Sequence, residues 1–239
     1  SHNTNGASCL FQIAEISCAS NAGFNANAKG YGRLTKSGDQ YGPQTTRLRG
    51  YGVDGGSAYT SIAPGHGGVG GLCVTNFTAT YPKGAGLTYD SRRKPVLAGC
   101  GGTGNYSNGD TPPRGGGVVR VESEVFRLNG GSLLADGGNG TDERTGGSGG
   151  SIYVRAMRFF GGGGVLSAKG GNGPVYGTDA GHAKNYDMAA GGGGRIAVWA
   201  GNFGYPEATN CTLRVDAGAV ASELEPVDPE AYAARQGTA

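Results

Sequence analysis

Asp136 and Asp216 end two short apolar runs of the same shape, LLAD and LRVD, and Lys169 stands at the matching place in a third, VLSAK. Glycoside hydrolysis uses two carboxylates about 5 to 9.5 Å apart. Asp136 and Asp216 share a register with Lys169 between them, so they stack without being adjacent. Lys169 reads more simply as a charge-balancing neighbour. A second group, His182, Lys184, Tyr186 and Asp187, lies together on the insertion PVYGTDAGHAKNYDM. It offers a base and charged neighbours for a lyase, and equally a solvated surface loop. His66 sits in PGHGGVGG, where no neighbour orients a base. A hydrogen bond to a nearby carbonyl is its simpler role. These are weak catalytic candidates, and the expectation is that the chain is not an enzyme.

Asp136, Asn139, Asp142 and Glu143 in DGGNGTDER are oxygen ligands in a glycine-rich loop, the type that suits calcium. Their spacing matches neither an EF-hand nor the calcium-binding nonapeptide repeat, so calcium is the one cofactor considered and no metal is expected. No GxxxxGK[ST] occurs, and the GxG strings lack a strand–helix context. Binding has better material. Tyr153 and Trp199 are candidates for a sugar-stacking platform, and the alternative is that both pack beneath a loop. Arg92, Arg93 and Lys94 form the one local basic cluster, suited to an acidic glycan or to plain solvation.

The elements that must position these residues come from a repeated unit. GGGVVRVES and GSLLADGG are followed by GGSIYVRAM and GVLSAKGG, then by GGRIAVWA and TLRVDAG. Val119, Val121 and Ser123 share a register with Ile152, Val154 and Ala156, and with Ile196, Val198 and Ala200. A period of two marks a strand with one packed face. Equivalent registers along a chain imply stacked equivalents in space. Two short strands per unit, glycine corners and variable loops predict an all-β, glycine-rich β-solenoid, with an antiparallel β-sandwich as the alternative. CLFQIAEISC and GFNANAKGYG read as an irregular first copy, with Ala26 and Ala28 at the places of Leu166 and Ala168. The division expected is a glycine-rich β domain over 1–217, irregular over 1–114 and regular over 115–217. A cap or linker follows over 218–239.

Glycine supplies 51 of 239 residues, about three times ordinary usage, without the Gly-x-y period of collagen. The net charge of +2 calls for no nucleic acid, and no apolar run is long enough to insert in a membrane. The Ser-His start looks like a processed end or an expression scar, so the chain reads as a piece of something longer. There are five cysteines and no CxxC pair. Cys9 and Cys18 are the nearest local pair for a disulfide. Asn76, Asn105, Asn139 and Asn210 head glycosylation sequons. Cysteines and sequons together favour an extracellular or cell-surface location.

The motifs GGGVVRVES, LLADGG, GGSGGSIYVRA, LSAKGGNG and GGGGRIAVWA resemble a glycine-rich repeat region of large extracellular or cell-wall-associated proteins. PGHGGVGG, TYDSRRKP and GCGGTG resemble the segment that precedes those repeats. The resemblance spans roughly residues 60 to 202. It implies a β-helix-like surface scaffold and no activity, while the cysteine-containing N-terminal part and the acidic tail depart from it. The function expected is a surface scaffold or adhesin-type module that contacts glycans. The alternative is a polysaccharide-active enzyme, a lyase or glycoside hydrolase. The partners expected are other domains of a larger surface protein and a cell-surface glycan.

Overall fold

In the computed structural model the residues described are 8–32, 63–71, 74–75, 86–103, 113–141, 144–176, 186–187, 189–203 and 210–219. They form an all-β arrangement in which no helix occurs. The long strands are β1 (Ser8–Ser17), β4 (Val118–Arg127), β6 (Ser151–Phe160) and β10 (Arg195–Phe203). They make one sheet in the order β1-β4-β6-β10. The short strands β2 (Gly23–Asn25), β5 (Ser132–Leu134), β7 (Val165–Ser167) and β11 (Thr212–Arg214) make a second, in the order β11-β7-β5-β2. Every pairing in both sheets is parallel. A small antiparallel sheet joins β3 (Val74–Thr75), β9 (Tyr186–Asp187) and β8 (Val175–Tyr176).

The glycine-rich β-solenoid expected from the repeats, and the antiparallel sandwich kept as its alternative, are both corrected by this topology. The two main sheets are parallel, which removes the sandwich. Both are open four-stranded sheets, and no ladder closes one onto the other. Each repeat supplies one long and one short strand, and among the described residues its glycine-rich segment adds no third parallel ladder. Parallel neighbours need a long return connection. Here the return runs through the short strand and the glycine segment, where most parallel sheets use a helix.

The register read from the repeats is the register of the pairing. Val119, Ile152 and Ile196 are partners in one row, and Val121, Val154 and Val198 in another. Leu133, Leu166 and Leu213 align across the second sheet. The N-terminal copy differs in detail. Phe24, not Ala26, pairs with Leu133, so Ala26 and Ala28 fall two residues later than the expected match. Ala28 has a φ of 50°.

The core lies between the two sheets. Val119, Val121, Phe126, Leu128, Ile152, Val154, Phe159, Ile196, Leu133 and Leu166 are buried in one cluster. Strict alternation from Val119 would turn Phe126 outward, yet Phe126 and Leu128 are fully buried. The phase switches at the row of Glu124 and Met157, both exposed. The two central strands, β4 and β6, therefore switch phase at the same row and bury residues on both sides of it. Phe126 stacks on Phe159 at 5.6 Å beyond it.

Glycine has two roles. Gly130 (φ 74°) and Gly162 and Gly163 (45° and 73°) make the tight turns from long strand to short strand. The larger group has ordinary φ and serves close approach. Segments 113–117, 146–150 and 191–194 pack with 63–71 and 97–103 through main-chain hydrogen bonds such as Gly99 N to Gly116 O (2.8 Å), Gly116 N to Ser148 O (2.9 Å) and Gly149 N to Gly192 O (2.9 Å). A Cβ on Gly150 would meet Gly117 O at 2.0 Å. This main-chain layer takes the place of a third sheet.

Side-chain oxygens extend the layering. Asn27 Oδ1 accepts from Asp136 N (2.7 Å), and Asp136 Oδ1 accepts from Lys169 N (2.7 Å). Asn139 Oδ1 accepts from Asn172 N and Asn172 Oδ1 from Ala219 N, both at 2.9 Å.

Candidate functional site

The outer face of the long sheet is covered at one end and open at the other. Ser151 and Arg195 share the first row of that face with Val118. Both are buried, as are Tyr153 and Ala197 in the next outward row. Arg155 and Trp199, one row further, are exposed. Residues 63–71 and 86–98 supply the partners of the covered end.

Beneath that cover lies a polar cluster centred on Asp90. Its Oδ1 accepts from Ser91 N (2.8 Å), and its Oδ2 from Val96 N and Leu97 N (both 2.9 Å). Ser151 Oγ lies 3.3 Å and His66 Nε2 3.6 Å from the same Oδ2. Burial alone would raise the Asp90 carboxyl, but His66 and the backbone N–H groups of Leu97 and Ser91 outweigh it and hold the carboxyl below its usual range. Asp90 has a φ of 68°, a conformation Asp tolerates better than most residues. Arg195 donates through Nε to Tyr89 O (2.8 Å). The Tyr89 ring packs on His66 at 4.4 Å, and its hydroxyl meets Ala98 O and Cys100 Sγ. Burial pushes the Cys100 thiol up to about 12, so it stays protonated.

Ser151, His66 and Asp90 are the residue types of a hydrolytic triad, but their geometry is not one. In a working triad the serine and the aspartate use opposite nitrogens of the imidazole. Here His66 Nδ1 is bonded to Gly149 O at 2.7 Å, and both Ser151 and Asp90 face Nε2. Ser151 Oγ donates to Leu97 O at 2.6 Å. Ser151 and His66 are both fully buried. The cluster fixes the chain on either side of Asp90.

What it fixes is the loop 91–95. Ser91 Oγ accepts from Arg93 N and Lys94 N, at 3.2 and 3.1 Å. Arg92, Arg93 and Lys94 are exposed on its rim. Arg93 O accepts from Trp199 Nε1 at 2.6 Å. The basic cluster and the tryptophan, far apart in the chain, thus meet. Trp199 is half exposed and anchored along one edge. It borders a shallow groove of about 680 Å³ with Glu122, Arg155 and Met157. Glu122 Oε2 accepts from Gln12 Nε2 (3.1 Å).

The other candidates fare differently. Tyr153 is buried and adds nothing to an open platform with Trp199. Asp136 is committed through Oδ1 to Lys169 N and Ser167 Oγ (2.6 Å). Asp216 is exposed, two strands away across β7, about 9.5 Å by sheet spacing. For calcium, Asp136 and Asn139 each direct an oxygen at a backbone N–H, Asp142 and Glu143 lie outside the described residues, and no acidic or His/Cys cluster able to hold a metal occurs among the described residues. His182, Asn76 and Asn105 lie outside the described residues, and the side chain of Asp187 does too. Asn139 and Asn210 are exposed.

The Cys9–Cys18 disulfide is corrected. The two flank the ends of β1, separated by ~30 Å of extended chain, whereas a bridge needs Cα atoms within about 7 Å. Cys9, Cys18, Cys100 and Cys211 are free thiols.

Sequence reasoning missed Asp90, Ser151, Arg195 and Tyr89. One signal was present. Ser151 and Arg195 open their strands where the first copy has Val118, and a polar residue at an otherwise apolar row asks for a partner. Compared with known protein families, curated proteins and solved structures, the chain matches none.

Proposed function

We propose that this chain is a rigid module of an extracellular or cell-surface protein, and that its open sheet face binds glycans at Trp199. The observation that carries the reading is the indole of Trp199, half exposed and held by its Nε1–H on Arg93 O. A ring fixed before the ligand arrives loses little entropy on binding, which favours a stacking platform. The glycine layer supports the scaffold part of the reading, because close-packed main chain resists deformation. The resemblance to glycine-rich repeat regions of surface proteins points the same way. Other domains of such a protein are the expected neighbours.

The polysaccharide-active enzyme is the weaker reading, since Asp136 is bonded within the scaffold and the His66 cluster is sealed. A glycan array run beside a turnover screen on polysaccharides tests both. The expected result is binding that Trp199→Ala weakens by about tenfold, with no product released. Binding unchanged in Trp199→Ala removes the platform, and product release replaces the module with an enzyme.

A further inference from the structure

We propose that the groove takes an extended polysaccharide strand bearing carboxylates, laid across the sheet at right angles to the β-strands. This rests on the glycan-binding reading above and adds the ligand's charge and direction. The carrying observation is one row of side chains. Gln12, Glu122, Arg155 and Trp199 are successive register partners across β1, β4, β6 and β10. Neighbouring strands stand about 4.8 Å apart, close to the length of one pyranose unit. A polysaccharide running along the row therefore meets one side chain per sugar.

The side chains differ in what they recognise. Trp199 offers a flat apolar face. Arg155 is exposed and has no hydrogen-bond or ion-pair partner among the described residues, so its fork is available for a carboxylate. Glu122, held by Gln12, keeps acceptor capacity for sugar hydroxyls. At the Trp199 end the loop adds Arg92, Arg93 and Lys94. Asp90, the acid of that loop, is turned inward onto backbone N–H groups, so the loop's outer surface is basic. A nucleic acid fits worse. Strand-binding channels use successive aromatic platforms, and this row has one. Asp90 is a positioning residue, acting through the loop.

The test is isothermal titration calorimetry of the 239-residue chain with three probes: polygalacturonate, the same polymer fully methyl-esterified, and single-stranded oligothymidylate. Polygalacturonate is expected to bind at least about tenfold more tightly than either of the others, with affinity falling as salt rises. Arg155→Ala and Trp199→Ala should each weaken it by about tenfold with unchanged melting temperature. Equal affinity for the acid and its ester overturns the carboxylate proposal and leaves the glycan reading standing. Equal affinity for oligothymidylate also overturns it, because charge alone would then suffice. Binding of no polysaccharide removes both. The ester comparison uses the unmodified chain, so a misfolded variant cannot decide the outcome.

Discussion

Replacing Gly150 by alanine tests whether glycine is present for close approach or for flexibility. The new Cβ would stand 2.0 Å from Gly117 O and 2.5 Å from Gly116 C. A carbon–oxygen contact settles at about 3.3 Å or more, so main chain must move by over ~1 Å. Three bonds cross this point: Gly150 N to Ala135 O (2.7 Å), Arg195 N to Gly150 O (2.9 Å) and Ser151 N to Gly117 O (3.0 Å). Leaving buried polar groups unpaired costs about 1–3 kcal/mol each. Alanine restricts the unfolded chain and returns at most about 1 kcal/mol. With all three bonds lost the net loss is about 2–8 kcal/mol, a large share of the 5–15 typical of a folded domain. At this size the midpoint should fall by at least about 4 °C. Gly201→Ala is the control, because its Cβ would meet only Met157 O at 3.2 Å before ordinary contacts near 4 Å. Its midpoint should move by no more than about 3 °C. Thermal melts followed by circular dichroism measure both. A Gly150→Ala chain as stable as the parent would refute the main-chain layer.

Three further outcomes follow. Ile152 is fully buried between Val119 and Ile196, so Ile152→Asp should unfold the chain, as an unpaired buried carboxylate costs several kcal/mol; a soluble, monodisperse variant with an unchanged melt would contradict the packing. The folded-state pKa of Asp90 is depressed, so its contribution is present above the unfolded value of about 4 and is lost as pH falls through the lower folded value. Asp90→Asn should therefore destabilise the chain at pH 7 and do so progressively less below about pH 4, read from urea midpoints against pH; a pH-independent difference would contradict the role of its charge. Cys9 is exposed, whereas Cys100 is buried with its thiol raised to about 12. Alkylation of unreduced native protein followed by peptide mass mapping should label Cys9 first and Cys100 only on unfolding, and a Cys9–Cys18 bridge in those maps would overturn the strand assignment of 8–17.

The repeats made the strands, their pairing rows and the core columns legible, because a period of two and a repeated register are local patterns. Three features were not legible, for physical reasons. The switch at the row of Glu124 and Met157 reverses the inward phase, and nothing in EVF or MRF marks it, since Phe126 and Phe159 are apolar on either reading. The closure of the unit depends on what glycine leaves out. A missing Cβ permits a turn, a flexible corner or main-chain packing alike, and only the neighbours of Gly150 or Gly170 decide. The meeting of Arg93 with Trp199 joins residues over a hundred positions apart, through a loop that Asp90 sets by bonds to its own backbone and to His66 and Ser151. Each of those residues has an ordinary role when read alone. Trp199 and the basic cluster could be named singly, but not as neighbours.

Trp199 is the single tryptophan of the chain, so indole fluorescence reports on the proposed platform alone. Titrating the protein with oligogalacturonate while following emission under selective indole excitation tests binding at the place assigned to it. The predicted result is a saturable change in intensity and wavelength, absent with the methyl-esterified oligomer and greatly weakened in Arg155→Ala. An emission spectrum unchanged at oligomer concentrations that saturate binding by calorimetry would place the ligand elsewhere and contradict the assignment of this face.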